Sequence, residues 1–270
     1  MKKQTRQKNI TSEFKLAVSL ARELLLFPIN LLKVMFKKEN SKVLAKPFKI
    51  LHDFASETKL TLTLIGLNFI VYIISGFLSG EVLLYLVNSP QNMLSGRFYS
   101  LITSGFLHAD LGHLFGNMLF IFIFGRILER KLGEKKTALI YFGAMFISAV
   151  ISNLIYILMG QNVTAVGASG ALMGLVSAAI LLDPFYLTFI LIIPVPVMIV
   201  GWIAIYGDIV GVLSPVQTNI GYFAHIGGFI SIAVLVYLLN EKDRKKMKNG
   251  LYINLLSLLI ASILLFILQF

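Results

Sequence analysis

Seven stretches of this 270-residue chain carry almost no charge, and short polar or basic segments separate them. The hydrocarbon core of a bilayer is about 30 Å thick, so a spanning helix needs roughly 20 apolar residues. The predicted spans cover approximately residues 60–79, 112–128, 137–159, 168–182, 185–206, 221–239 and 251–270. This pattern predicts an all-α polytopic membrane protein.

Composition supports a membrane protein and narrows the available chemistry. Hydrophobic residues make up 57% of the chain and charged residues only 14%, which is far too apolar for an ordinary soluble domain. The chain has no cysteine, so disulfides, thiolate nucleophiles and cysteine metal ligands are excluded. Hydroxyl, imidazole and carboxylate groups remain as candidates.

The basic residues predict an orientation. Residues 1–59 hold 13 Lys and Arg, residues 126–136 hold five and residues 241–250 hold five, which leaves only Arg97 of the 24. Cytoplasmic segments carry the excess of Lys and Arg. The N-terminus is therefore expected in the cytoplasm and the C-terminus outside, with Arg97 in a long outer loop over residues 80–111.

The net charge of +11 could suggest a nucleic-acid partner, but the basic residues lie in three blocks beside apolar runs. A lipid bilayer explains that distribution better, and we expect no nucleic acid. Residues 14–36 hold apolar Phe14, Leu16, Ala17, Leu20 and Leu24 with basic residues between them, which favours an amphipathic helix on the inner leaflet. The first apolar patch lies behind a polar leader and holds Pro28, so no cleaved signal peptide is predicted.

Two polar residues at the start of apolar runs form a candidate reactive pair. Ser169 lies in Gly-Ala-Ser-Gly and His225 in Ala-His-Ile-Gly-Gly. Polar side chains are expensive in a membrane, and a serine needs an adjacent base to act as a nucleophile. Small residues beside both, including Gly170, Gly174 and Gly228, permit close helix packing. The two runs enter from the same predicted face, so the pair is expected at one depth.

His113 and Asn117 are expected at the same depth. Their spacing of four places them on one face of a helix, where they can stabilise a developing oxyanion together with backbone N–H groups at the start of the fourth span. No carboxylate is well placed to orient His225, since Asp183 and Asp110 fall elsewhere. Asp208, at the outer end of the fifth span, is the remaining candidate, and a Ser-His dyad is the simpler interpretation.

A metal site is not favoured. A spacing of five would place His108 and His113 about 140° apart on a helix, and neither Cys nor Glu joins them. His108 is expected to support the outer loop instead. An ion pair or a lipid contact is the ordinary interpretation of Arg126 and Glu129, which lie three residues apart.

Together these motifs resemble the rhomboid intramembrane serine proteases. The similarity rests on the Ser169 and His225 motifs, on His-x-x-x-Asn at 113–117, and on Leu-Ile-Thr-Ser-Gly-Phe-Leu-His at 101–108. It covers about residues 60–240, so it implies a six-helix core at 59–240 with one further C-terminal transmembrane helix in 241–270. Residues 1–58 lie outside it as a basic cytoplasmic leader.

The resemblance also implies roles for particular residues. Ser169 would be the nucleophile and His225 the general base, with His113 and Asn117 as oxyanion stabilisers. Gly167 would shape the loop before the serine. The family implies a cavity that opens outward, a gate formed by the fifth span, and substrates that are single membrane helices with an unstable segment. A helical peptide bond must unwind before attack.

Two positions depart from the family pattern. Many members have a Trp-Arg pair before the Leu-Ile-Thr-Ser stretch, where this chain has Tyr99 and Ser100. An aromatic residue that supports the histidine is replaced by Met173. Neither change removes a reacting group, so we expect an effect on rate.

The sequence therefore predicts a serine endopeptidase of the cell membrane that cleaves single-span substrates near the outer face and needs no cofactor or metal. Two alternatives are a catalytically inactive rhomboid-like protein that binds membrane clients and a small-solute transporter that uses the same polar cluster. The intact Ser169 and His225 argue against the first alternative. No internal repeat is evident, which weakens the second.

Overall fold

The structure is a computed structural model that describes residues 18–19, 22–190, 193–214 and 221–268. The chain divides into two compact units, Met1–Lys59 and Leu60–Phe270. The division falls one residue from the predicted end of the basic leader.

The described part of the first unit is helical. Helix α1 covers residues 22–35, a 3-10 turn covers Ser41–Ala45, and α2 covers Lys46–Glu57. Helices α1 and α2 meet at an edge-to-face contact between Phe27 and Phe48, with ring centroids 6.2 Å apart. Of the apolar positions that predict an amphipathic helix, Phe14, Leu16, Ala17 and Leu20 lie outside the described residues. Leu24 lies in α1 and is exposed.

Among the described residues, one apolar helix overlaps each of the seven predicted spans. These helices are α3 (Lys59–Ser75), α7 (Leu111–Leu132), α8 (Glu134–Leu158), α9 (Ser169–Leu182), α10 (Val197–Leu213), α11 (Tyr222–Leu235) and α12 (Glu241–Leu268). Within the described ranges, α7, α8 and Glu241–Leu264 are individually long and apolar enough to cross a membrane. The shorter helices suit the interior of a bundle. The chain is an all-α, multi-pass membrane protein with a six-helix core and one further C-terminal helix.

The segment between α3 and α7, predicted as a loop, is largely helical. It contains α4 (Gly80–Leu86), α5 (Pro90–Leu94), α6 (Ser100–Thr103) and a 3-10 turn over Ser104–Phe106. Ser79 and Ser89 accept hydrogen bonds from backbone N–H groups in the first turns of α4 and α5. Such capping satisfies amides that have no partner within their own helix.

The predicted fifth span was wrong at both ends. Residues 185–206 were expected to be one helix, whereas Leu187–Ile190 and Ile193–Pro196 form an antiparallel pair of strands, β1 and β2. Pro194 and Pro196 lack N–H donors and disfavour a helical conformation in the residue before them, so α10 begins only at Val197. It then continues past Tyr206 to Leu213.

Helix α9 lies at the centre of the core and is buried along almost its whole length. The predicted close packing at small residues is confirmed. A Cβ atom added to Gly228 of α11 would overlap the carbonyl oxygen of Gly170, and one added to Gly174 would overlap Ala144 of α8. On another side, a Cβ at Gly250 of α12 would overlap the backbone of Leu181. These contacts fix α9 against three neighbouring helices.

A buried carboxylate joins α7 to the start of α3. Glu129 is only 5% exposed, and it accepts hydrogen bonds from the Leu60 amide at 2.7 Å and from the Thr61 amide at 2.8 Å and hydroxyl at 2.7 Å. These bonds satisfy helix N-terminal amides that would otherwise lack partners. Glu129 thus has a structural role between two core helices.

Candidate active site

The four polar residues singled out in the sequence line one cavity. The cavity has a volume of about 960 Å³, and its lining includes Ser169 of α9, His225 of α11, and His113 and Asn117 of α7. Each residue lies in the first two turns of its helix. The cavity therefore brings together a hydroxyl, two imidazoles and an amide.

Backbone geometry places Ser169 at the first position of α9. Gly167 has a φ of +117°, which residues with a side chain rarely adopt, and its N–H donates to the Ser104 carbonyl at 2.9 Å. Leu172 donates to the carbonyl of Ala168, which makes it the first amide in the helical ladder. The amides at 169–171 have no acceptor within the helix and lie beside the cavity, where they can stabilise a negative charge.

Gly167 also lies against the imidazole of His113. A Cβ atom at position 167 would be 2.6 Å from Cε1 and 2.7 Å from Nε2 of that ring, and 3.4 Å from Nδ2 of Asn117. No side chain fits there unless the ring moves. Glycine at 167 thus allows the loop before Ser169 to approach the polar face of α7.

Two residues before α7 support its polar face. The carboxylate of Asp110 accepts a hydrogen bond from the His113 amide at 2.8 Å, which caps the helix. Nε2 of His108 lies 3.0 Å from Nδ2 of Asn117, and Nδ1 of His108 lies 3.3 Å from the carbonyl oxygen of Phe106. The carbonyl can only accept, so Nδ1 is assigned the proton and Nε2 accepts from the amide. His108 thereby fixes the orientation of the Asn117 side chain.

Burial, together with the adjacent His113, lowers the pKa of His108 to about 4. The neutral imidazole that results can accept the hydrogen bond from Asn117, whereas a protonated ring could not. His108, which was predicted to support the outer loop, thus makes a specific contact with Asn117. That contact could not be predicted from the spacing of nine residues, which does not match a helical face.

The expected separation of His108 from His113 was wrong. It assumed one continuous helix, but α7 begins at Leu111, and the two rings lie edge to face with centroids 5.1 Å apart. The loop before the helix brings His108 back over the first turn. Among the described residues, no three His, Asp or Glu side chains are grouped as a metal site would require.

His225 has a carboxylate partner, contrary to the interpretation that none is well placed. Oδ1 of Asp208 in α10 lies 2.7 Å from Nδ1 of His225, and Asp208 is only 8% exposed. The sequence interpretation placed Asp208 at the end of a helix that in fact continues to Leu213. The other two carboxylates considered have other partners, since Asp110 caps α7 and Asp183 pairs with Lys131 at 2.8 Å.

Comparison with known proteins identifies the family of the chain. The family model for the rhomboid domain matches residues 95–242, which is more than half of the chain. The chain belongs to the rhomboid family. The match includes all four of the polar residues that line the cavity.

Individual relatives show how varied this family is. The rhomboid chain is 31% identical over 173 residues to RHOMBOID-like protein 12, mitochondrial, of Arabidopsis thaliana, which covers 58% of this chain and 50% of that protein. It is 36% identical over 117 residues to Rhomboid-like protease 3 of Toxoplasma gondii, covering 40% and 42%. It is 29% identical over 82 residues to Inactive RHOMBOID-like protein 8 of Arabidopsis thaliana, covering 30% and 22%.

The chain spans half or less of the length of these three relatives. One relative is named a protease and another is named inactive, so membership of the rhomboid family does not by itself decide activity. Whether this chain is active has to be judged from the geometry of its site.

The structure shows what surrounds the two positions that depart from the rhomboid pattern. Met173 is buried in the core, and the aromatic ring beside His225 is instead Tyr222 of the same helix, with centroids 6.4 Å apart. Ser100 is fully buried at the start of α6. Arg97 donates to the Asn92 side chain at 2.9 Å and so helps to hold the segment before α6.

Proposed function

We propose that this rhomboid is an intramembrane serine endopeptidase that cleaves single-span transmembrane proteins near the outer membrane face. The observation that carries the proposal is the shared cavity, which is lined by Ser169, His225, His113 and Asn117. A hydroxyl at a helix N-terminus, a base, and donors for an oxyanion are the parts that acyl transfer needs. The proposal requires no metal or cofactor.

In the proposed reaction, Oγ of Ser169 attacks the carbonyl carbon of a substrate peptide bond while Nε2 of His225 takes the hydroxyl proton. The negative charge on the carbonyl oxygen is stabilised by the N–H groups at the start of α9 and by His113 and Asn117. The imidazolium then gives its proton to the leaving amine, and an ester to Ser169 remains. Water, deprotonated by His225, hydrolyses that ester and regenerates the serine.

The proposed substrates are proteins whose membrane helix can unwind locally. A peptide bond inside a helix is hydrogen-bonded and shielded, so a substrate segment has to leave its helical conformation before it can reach Ser169. Single-span proteins with a locally unstable helix near one membrane face satisfy that requirement. Such a substrate then reaches the cavity laterally from the lipid bilayer.

The experiment combines active-site labelling with cleavage of a model substrate. Purified protein should react with a fluorophosphonate at Ser169, and the reconstituted protein should cleave a tagged single-span substrate. Ser169→Ala should abolish both, and His225→Ala should abolish labelling. Ser177→Ala is the matched control, since Ser177 is fully buried in the same helix and its Oγ has no hydrogen-bond partner among the described residues.

A folded protein that neither labels nor cleaves would contradict the proposal. That result would favour the alternative of a catalytically inactive rhomboid-like protein that binds membrane clients, and one relative is named as inactive. A transporter would instead move a solute across sealed vesicles. Full activity in Ser169→Ala would show that the proposed nucleophile is wrong.

We further propose that the chain lies in the cell membrane, with its N-terminus in the cytoplasm and its C-terminus outside. The concentration of basic residues in three segments supports this orientation. Because the chain has no cysteine, single cysteines can report it. A membrane-impermeant maleimide should label Gln161→Cys in intact cells, and Lys135→Cys only after lysis; the reverse pattern would invert the topology.

A further inference from the structure

A buried acidic residue lies behind the proposed base. Asp208 is in α10, and its Oδ1 is 2.7 Å from Nδ1 of His225 in α11. Its side chain is 11% exposed, and it is absent from the residues that line the cavity, whereas His225 lines it. A carboxylate in an apolar helix is costly and calls for a reason. Its contact with His225 suggests one.

The two helices also touch one turn away from this contact. Gly211 lies one turn after Asp208 and Tyr222 lies one turn before His225, so each pair shares a helix face. A Cβ atom at Gly211 would overlap the ring of Tyr222, which means that the helices touch there. The hydrogen bond between Asp208 and His225 is therefore part of a packed interface.

The chemistry of the bond fixes the tautomer of the imidazole. A carboxylate can only accept, so the proton of a neutral His225 lies on Nδ1 and Nε2 keeps its lone pair. The two nitrogens are on opposite sides of the ring, and Nδ1 faces α10. Nε2 is then the nitrogen available to take a proton from a hydroxyl in the cavity.

We infer that Asp208 is a positioning residue, which holds His225 in its base-competent tautomer and orientation and makes the site a Ser-His-Asp triad. This inference rests on the proposed function. When Nε2 takes the proton of Ser169, the imidazolium carries a positive charge, and the Asp208 carboxylate stabilises that charge without itself taking a proton. Asp208 contacts neither the substrate nor the reacting atoms.

The experiment compares the reconstituted wild-type protein with Asp208→Asn, Asp208→Glu and the control Asp183→Asn. The asparagine variant keeps the shape but can donate to Nδ1, which favours the tautomer with its proton on Nε2. We expect kcat and the rate of fluorophosphonate labelling to fall roughly 10²- to 10⁴-fold with KM little changed. Asp208→Glu should restore part of kcat. Asp183→Asn removes a carboxylate paired with Lys131, and it should keep the wild-type kcat.

A measurement on the wild-type protein covers the case in which the Asp208 variants fail to fold. With ¹⁵N-labelled histidine, the resonances that disappear in His225→Ala should show, in the neutral form of the ring, a protonated Nδ1 and an unprotonated Nε2. A neutral ring with its proton on Nε2 would overturn the inference. So would an Asp208→Asn variant with wild-type kcat and labelling rate.

These outcomes separate the inference from the proposed function. If the wild-type protein labels and cleaves but Asp208→Asn does so equally well, the positioning role fails and the protease remains. If the wild-type protein is inert while its His225 tautomer is as expected, the protease fails and the Asp208 contact stands.

Discussion

Substituting Gly167 with alanine tests whether the His113 ring must stay where the structure places it. An alanine Cβ would lie 2.6 Å from Cε1 and 2.7 Å from Nε2 of His113. Non-bonded carbon atoms prefer separations of about 3.5–4.0 Å, so the ring would have to move by about 1 Å. Such a displacement would take His113 out of the geometry that its proposed role as an oxyanion donor needs.

The expected magnitude follows from two separate costs. The φ of +117° at position 167 is unfavourable for alanine and should lower the free energy of unfolding by about 1–3 kcal/mol. Loss of one oxyanion donor raises the reaction barrier by about 2.7–4 kcal/mol, which is a fall in kcat of about 10²- to 10³-fold. Gly167→Ala should therefore fold, with reduced stability, and be nearly inactive.

Gly160→Ala is the matched control for backbone strain. Gly160 also has a positive φ, +66°, but nothing lies within 4 Å of a Cβ atom added there. This variant should lose about 1–2 kcal/mol of stability and keep the wild-type kcat. Cleavage of a single-span substrate in proteoliposomes gives kcat, and unfolding in mild detergent gives stability. A folded Gly167→Ala protein with wild-type kcat would refute the reasoning.

Three other predictions concern neighbouring polar residues. Asn117→Ala should lower kcat by roughly tenfold to a thousandfold in the same cleavage assay, and an unchanged kcat would remove it from the oxyanion site. The pKa of His108 is about 4 in the folded protein and near 6.5 when exposed, so the unfolded state binds more protons between these two pH values. The free energy of unfolding should therefore fall as the pH drops from about 6.5 to 4. His108→Gln should flatten that pH dependence in thermal unfolding. Glu129→Ala leaves three donors without their acceptor and should cost about 3 kcal/mol or more in the free energy of unfolding, whereas the exposed Glu134→Ala should cost far less.

The grouping of the polar residues could be predicted because a membrane restricts where a helix can begin. Charge counting assigns each span a direction, and direction places the first turn of a span at a known face. His113, Ser169 and His225 all open spans that enter from the same face, so their common depth followed. Depth alone does not say which way a side chain points, and their chemical roles remain predictions.

To predict the position of His108, one has to know where α7 begins. Counting five residues from His108 to His113 as helical placed the rings apart, whereas the helix starts three residues after His108, behind the cap at Asp110. An aspartate before an apolar run is a recognised start signal, and it was present in the sequence. The path of the loop, which returns His108 to Asn117, depends on tertiary packing.

The fifth span was misplaced because hydropathy does not distinguish a short apolar strand from a helix. Pro194 and Pro196 were the available signal, since both disfavour a helix in the residues that precede them. Ending the span at Tyr206 also put Asp208 at the edge of the predicted helix, so it stayed only a candidate partner for His225. The helix continues to Leu213, and Asp208 lies within it against His225.

Helix α10 contacts α12 near one end and His225 of α11 near the other. Trp202 donates to the side chain of Asn254 in α12 at 2.9 Å, which ties one end of α10 to the last helix. The other end reaches α11 through the bond between Asp208 and His225, at 2.7 Å. A hydrogen bond is lost beyond about 3.5 Å, so a movement of that end of α10 by about 1 Å away from α11 would release the imidazole. Any opening of the bundle at α10 must therefore close again before His225 regains the orientation that the proposed triad requires.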